Sequence, residues 1–170
     1  MKSPTMRSFC ATLIFTFAAC ILGPYQIAGV SVAVAVLLLA GVALDPLLAA
    51  VSAALYVLAG IWLPVYAGGA SGTGVLLGNS GGYLFALILC ALVVSALRRG
   101  LRSYWLLATF VGLCVAFVLY FGVGILWYVV KTGASVSSVF GAQLVRPCIL
   151  FGLDALLALL ASPTLYRAAH

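Results

Sequence analysis

Two groups of residues in this sequence are equipped to do chemistry. The first is Asp154, one of two acidic residues in the chain, lying seven positions past Pro147 in an apolar run that opens at Arg146. At 1.5 Å per residue the acid falls roughly 10 Å along a helix that starts at the proline. A charged group at that depth in a bilayer costs at least about 2.5–3.5 kcal/mol, so an intramembrane acid is read first as a functional group in need of a partner. Arg146 is the nearby basic candidate. Eight residues apart on a straight helix the two point about 80° from each other, which suits lining one pocket better than a direct ion pair. The plainer reading of Asp154 is a protonated or hydrogen-bonded residue packed against Ser/Thr neighbours.

The second group is the stretch from Leu63 to Tyr83, which carries seven glycines between Gly68 and Gly82. That composition is too rich in glycine for helix. Irregular backbone at membrane depth is tolerated only where it is buried in protein or lines a cavity, so the spacing predicts a loop that caps a cavity. Glycine lets backbone N–H and C=O groups approach a ligand closely, while Tyr66 and Tyr83 each add an apolar ring with a polar tip. The plainer reading is a loose connection. No Gly-Lys-Ser/Thr follows, so a phosphate-binding loop is ruled out, and no nucleotide-binding motif occurs elsewhere. The one histidine is the last residue, His170, and there are no paired carboxylates. Metal-dependent and acid/base enzymes have nothing to work with here, and the expectation is a protein that is not an enzyme.

The elements that must position these residues follow from composition. Of 170 residues, 66% are apolar and 6% charged, and the mean hydropathy is +1.34. A soluble domain carries about a quarter charged residues, so the chain belongs in a bilayer. Its +6 charge is spread too thinly for a nucleic-acid surface. Cys10, Cys20, Cys90, Cys114 and Cys148 all lie in apolar stretches without a C-x-x-C pair, and read as small buried hydrophobes.

Six apolar runs approach the roughly 20 residues that a span requires: Ser8–Leu22, Ile27–Leu44, Pro46–Leu63, Gly81–Leu97, Tyr104–Val130 and Leu144–Ala161. Gly23-Pro24 separates the first two, because proline lacks an amide proton and displaces its predecessor from the helical region. Asp45-Pro46 separates the second from the third, with Asp45 at the N-cap and Pro46 at the first helical position. An even count puts both termini on one side. Lys2, Arg7, Arg98, Arg99, Arg102 and Arg167 then share one face against Lys131 and Arg146 on the other, which makes the six-residue face cytoplasmic. The loop 64–80 and the segment 131–143 face outward. The start of the chain also resembles a lipoprotein signal ending at Cys20, but the plainer reading is a first transmembrane helix. The expected fold is an all-α integral membrane protein, residues 1–170 forming one domain of six transmembrane helices with the glycine-rich outer loop between the third and fourth.

The stretch from Leu55 to Gly69, Leu-Tyr-Val-Leu-Ala-Gly-Ile-Trp-Leu-Pro-Val-Tyr-Ala-Gly-Gly, with Leu77-Gly-Asn-Ser-Gly-Gly-Tyr-Leu84 after it, resembles the signature of the BioY family. BioY proteins are the biotin-specific S components of energy-coupling-factor (ECF) vitamin transporters. Gly124-Ile-Leu-Trp127 is similar to the family's Gly-x-x-Trp, and the run from Arg146-Pro through Asp154 to Ala161 resembles its last helix. The likeness is specific from Leu55 to Leu97, thinner beyond, and poor before residue 40. It implies six membrane helices holding the vitamin near the outer face beneath the loop. It also implies partners: a transmembrane coupling subunit and two ATPases, since the chain itself cannot hydrolyse ATP.

The chain departs from the family pattern at Leu157, where a Lys is usual, and at Asn79-Ser80, where Pro-Thr is usual. Biotin combines an apolar ring and chain with a ureido group and a carboxylate. The resemblance therefore implies Asp154 accepting from the ureido N–H groups, Asn79 and the backbone of Gly68, Gly69, Gly81 and Gly82 as polar contacts, and Tyr66 and Tyr83 flanking the ring. Arg146 is the candidate cation for the carboxylate in place of the missing lysine. No cofactor is expected. Two alternatives stay open: a related vitamin or biotin precursor as ligand, or an accessory membrane protein that binds none. Ser8, Thr12 and Thr16, four residues apart, offer a small-residue face for a partner helix.

Overall fold

The computed structural model describes residues 6–27, 30–101, 104–135 and 151–160 without 153 and 157; of Ile27 and Val30 only the backbone is described. The elements run α1 (Met6–Leu22), β1 (Gln26–Ile27), β2 (Val30–Ser31), α2 (Val32–Ala43), α3 (Pro46–Trp62), a 3-10 turn (Ala67–Gly69), α4 (Thr73–Leu76), α5 (Gly81–Gly100) and α6 (Trp105–Thr132). The described residues between 151 and 160 are helical. The chain is of helical membrane type: the stretch Pro46–Gly69, which joins α3 to the 3-10 turn, and the helices α5 and α6 are each long and apolar enough to cross a bilayer.

The breakers act as their chemistry dictates. Pro46 opens α3 at its first turn, where no amide proton is missed. Asp45 takes the N-cap position but makes no side-chain cap bond; it pairs instead with Arg99 at the far end of α5. Both side chains are more than a third exposed, so that pair adds little. The stronger tie there is the buried Ser95 hydroxyl, which donates to the Leu44 carbonyl at 2.5 Å.

One expected span begins later than the apolar run suggests. Residues 27–31 look continuous with the second helix, yet Gln26–Ile27 pairs antiparallel with Val30–Ser31. The Ser31 hydroxyl explains the change. It donates to the Gly23 carbonyl at 2.7 Å and caps Ala33 N–H at 3.3 Å, so α2 starts at Val32. The resulting helix has 12 residues and is buried nearly all round, with Leu37 and Leu38 each 1% exposed.

Around α2 lie α1, α3 and α5, and α6 packs along α5. Close approach of α2 and α6 to α5 depends on small residues. A Cβ on Gly41 of α2 would stand 3.0 Å from the Ala91 carbonyl, and one on Gly112 of α6 3.2 Å from the Val94 Cα. The outward faces carry Phe9, Leu13 and Phe17 of α1, Leu47 of α3 and Phe110 and Val118 of α6, all exposed, as in a lipid-facing bundle.

The small-residue face of α1 does not point outward. Thr12 and Thr16 are buried, each hydroxyl donates to the carbonyl one turn back, and Thr16 Oγ1 meets Ser52 Oγ of α3 at 3.1 Å. The expectation of a partner face there is corrected. A hydroxyl in an apolar bundle is better satisfied inside its own chain than facing lipid.

Candidate functional site

The glycine-rich segment is held at many points. Tyr66, 2% exposed, lays its ring over Gly60 and donates its hydroxyl to the Val57 carbonyl at 2.6 Å. Tyr56 crosses it edge to face at 6.1 Å and donates to the Val65 carbonyl at 3.1 Å. These two tyrosines bind the start of the loop back onto α3. Beyond them, Gly68 and Gly69 have φ of +73° and +76°, a region that side chains with a Cβ avoid. That turn lets Gly68 N–H reach the Pro24 carbonyl at 3.1 Å, while Gly72 N–H bonds the Gly60 carbonyl at 2.9 Å. The segment is also less irregular than its composition suggests, because Thr73–Leu76 closes one helical turn, capped by Leu77 N–H on the Thr73 carbonyl. The expectation of a wholly non-helical loop is corrected to that extent: glycine is sparse between Thr73 and Leu77, and one turn forms where it is.

The second half of the segment is fastened to α6. Gly81 and Gly82 are buried against Trp127: a Cβ on Gly82 would fall on the Trp127 Cβ and stand 3.1 Å from the Val123 carbonyl. The Trp127 indole N–H donates to the Gly78 carbonyl at 2.9 Å. Phe85 packs on the same indole at 5.6 Å between centroids, and Lys131 Nζ stands 5.6 Å from the ring centroid. One turn lower on α6, Gly124 leaves room for the Tyr83 ring.

Tyr83 leads into a group of aromatic rings. It packs on Tyr120 at 5.2 Å and Phe121 at 6.5 Å, and Phe117, Tyr120 and Phe121 all touch Phe151 of the last helical stretch, Tyr120 stacking on it at 5.1 Å. Asp154 follows Phe151 by three residues in helix, is half-buried, and lies within electrostatic reach of Tyr120, as do Tyr83 and Tyr56. An acid beside stacked rings offers an acceptor next to surfaces for an apolar ring.

The structure thus brings Gly81, Gly82 and Tyr83 together with α6, and Asp154 lies three residues beyond Phe151, which joins the aromatic group. Tyr66, Gly68 and Gly69 gather instead around Pro24 and Gly60. Asn79 is exposed, two residues ahead of α5. Arg146 lies outside the described residues. Sequence reasoning missed Phe117, Tyr120 and Phe121 on α6, whose i, i+3, i+4 spacing puts them on one helix face, and it named Tyr56 only as part of a motif. Among the described residues no three His, Cys, Asp or Glu side chains gather as a metal site.

Comparison with known proteins places this geometry. A family model described as the BioY family matches residues 1–170. Among solved structures the chain is similar to one described as "Crystal structure at 2.1 A of the S-component for biotin from an ECF-type ABC transporter". The likeness has a TM-score of 0.76 and 20% sequence identity, covering 98% of this chain and 94% of that one. At that identity it is a likeness of fold. No curated protein matches.

Proposed function

The chain belongs to the BioY family, and from that premise we propose that it is the biotin-binding, substrate-specific subunit of an ECF-type vitamin transporter. The carrying observation is the family match over the whole chain; the half-buried Asp154 beside Tyr120 and Phe151 supports it. A carboxylate at that point accepts from the two ureido N–H groups, and the rings of Tyr83 and Tyr120 take the apolar bicycle. Asn79 and the backbone of Gly81 and Gly82 supply polar contacts, Tyr66, Gly68 and Gly69 shape the start of the loop on the α3 side, and Arg146 receives the carboxylate of the vitamin. Uptake draws on a membrane coupling subunit and ATPases, and ATP acts only through them.

In this reading the bundle has six spans in the cell membrane with both termini cytoplasmic. Cysteine labelling tests the orientation: Ser71→Cys is expected to react from outside and Gly100→Cys from inside. Reactivity from the opposite sides at both positions reverses the topology.

The function is tested by equilibrium binding of labelled biotin to the detergent-purified chain, where absence of binding returns the protein to a ligand-free accessory role. Leu157, standing where the family has lysine, favours one second reading, a related vitamin or precursor, and the same assay run with those ligands decides between them. If Arg146 is the compensating cation, Arg146→Ala weakens biotin by about 1.5–3 kcal/mol, roughly ten- to a hundred-fold, and weakens biotin amide much less. Equal losses for both ligands assign Arg146 to supporting the start of its helix.

A further inference from the structure

The indole N–H of Trp127 is the only polar group by which α6 is seen to grip the segment between α3 and α5 among the described residues, and the ring is half-buried between three sets of neighbours. It donates to the Gly78 carbonyl at 2.9 Å across 49 residues of sequence. The ring rests on Gly81 and Gly82, positions where a Cβ would collide with backbone or with the tryptophan itself. Phe85 and Lys131 hold the indole from two further sides, each at 5.6 Å. Below this fastening the chain passes into α5 and to Tyr83 and the aromatic group. Above it, Gly72 N–H on the Gly60 carbonyl fixes the segment to α3 at 2.9 Å. The stretch 73–80 is therefore pinned at its two ends, to α3 through Gly72 and to α6 through Trp127.

The two pins differ in kind. The α3 side combines the Gly72 backbone bond with two buried tyrosine hydroxyls that tie Val65 and Tyr66 to the helix, whereas the α6 side has one side-chain donor. A single neutral hydrogen bond is worth about 0.5–1.5 kcal/mol net, so this is the weaker pin and the one through which the segment lifts. We propose that Trp127 is a positioning residue which, by holding Gly78, keeps the 73–82 segment closed over the site and sets how long ligand is retained. The proposal rests on the biotin-binding reading for its ligand, but the latch itself is a property of the empty chain.

Trp127→Phe keeps a ring against Gly82 and beneath Lys131 while deleting the donor. Amide hydrogen exchange on the ligand-free protein is expected to speed up by about 2- to 10-fold at residues 73–82, with α2 and α3 unchanged. Biotin release from the same variant is expected to accelerate by a similar factor, and thermal stability to stay near that of the unmodified chain. Trp127→His, which restores a ring N–H, moves both readouts back toward the unmodified values. Exchange at 73–82 and biotin release that are unchanged in Trp127→Phe overturn the proposal, as does an equal acceleration in the Phe and His variants or acceleration spread over the whole bundle. If the unmodified chain fails to bind biotin, the functional reading falls while the exchange measurement still decides the latch.

Discussion

Asp154→Ala is expected to weaken biotin binding by about five- to several-hundred-fold while leaving the protein inserted and folded. Removing one partner of a buried hydrogen bond costs about 1–3 kcal/mol, and more when it is charged, which sets that range. The sign on stability is opposite. An uncompensated acid in a membrane helix carries an insertion cost of about 2.5–3.5 kcal/mol, and alanine removes it while favouring helix. A purely structural Asp154 predicts the reverse, with stability lost through its neighbours and affinity for biotin unchanged. Parallel measurement of labelled-biotin binding and detergent thermal stability separates the two.

The second large effect is expected from Gly82→Ala. Alanine is ordinarily favoured over glycine by up to about 1 kcal/mol in a helix, and Gly82 sits in the first turn of α5. At position 82 the added methyl meets the Trp127 Cβ and the Val123 carbonyl, none of which is the free end of a flexible side chain. Overpacking of that sort costs about 1–3 kcal/mol, so destabilisation wins, and the widened spacing between α5 and α6 carries Trp127 away from Gly78 and weakens ligand binding with it. Gly122→Ala in α6 is the matched control, since nothing lies within 4 Å of its added carbon. It is expected to be neutral or slightly stabilising with full binding. Equal behaviour of the two variants in a thermal melt contradicts the packing argument.

How much of this was legible beforehand depends on what each residue had to decide. Asp45-Pro46 and Gly23-Pro24 act through their own backbone, so the ends of α1 and the start of α3 were readable within two residues. The start of α2 was not, because it is decided by Ser31 reaching back to the Gly23 carbonyl, a contact that an apolar run does not reveal. In the site, Asp154 and the glycines stood out as chemically odd. The rings of Phe117, Tyr120 and Phe121 did not, since α6 is apolar all round and hydropathy does not say which face meets lipid. Thr12 and Thr16 show the same limit: a stripe of small residues fits a neighbour in another chain as well as one in its own, and Ser52 decided for the latter.

The shortness of α2 bears on how the molecule is made. Twelve residues extend about 18 Å, well short of the roughly 30 Å of hydrocarbon, so during synthesis this helix cannot settle across the bilayer by itself. It depends on α1 and α3, which pack on it, and its shortfall is met at its start by the β1–β2 pair. Packing on its α3 side is available only once α3 has followed it into the bilayer. The helix at the centre of the finished bundle is thus the one whose insertion waits on its successor.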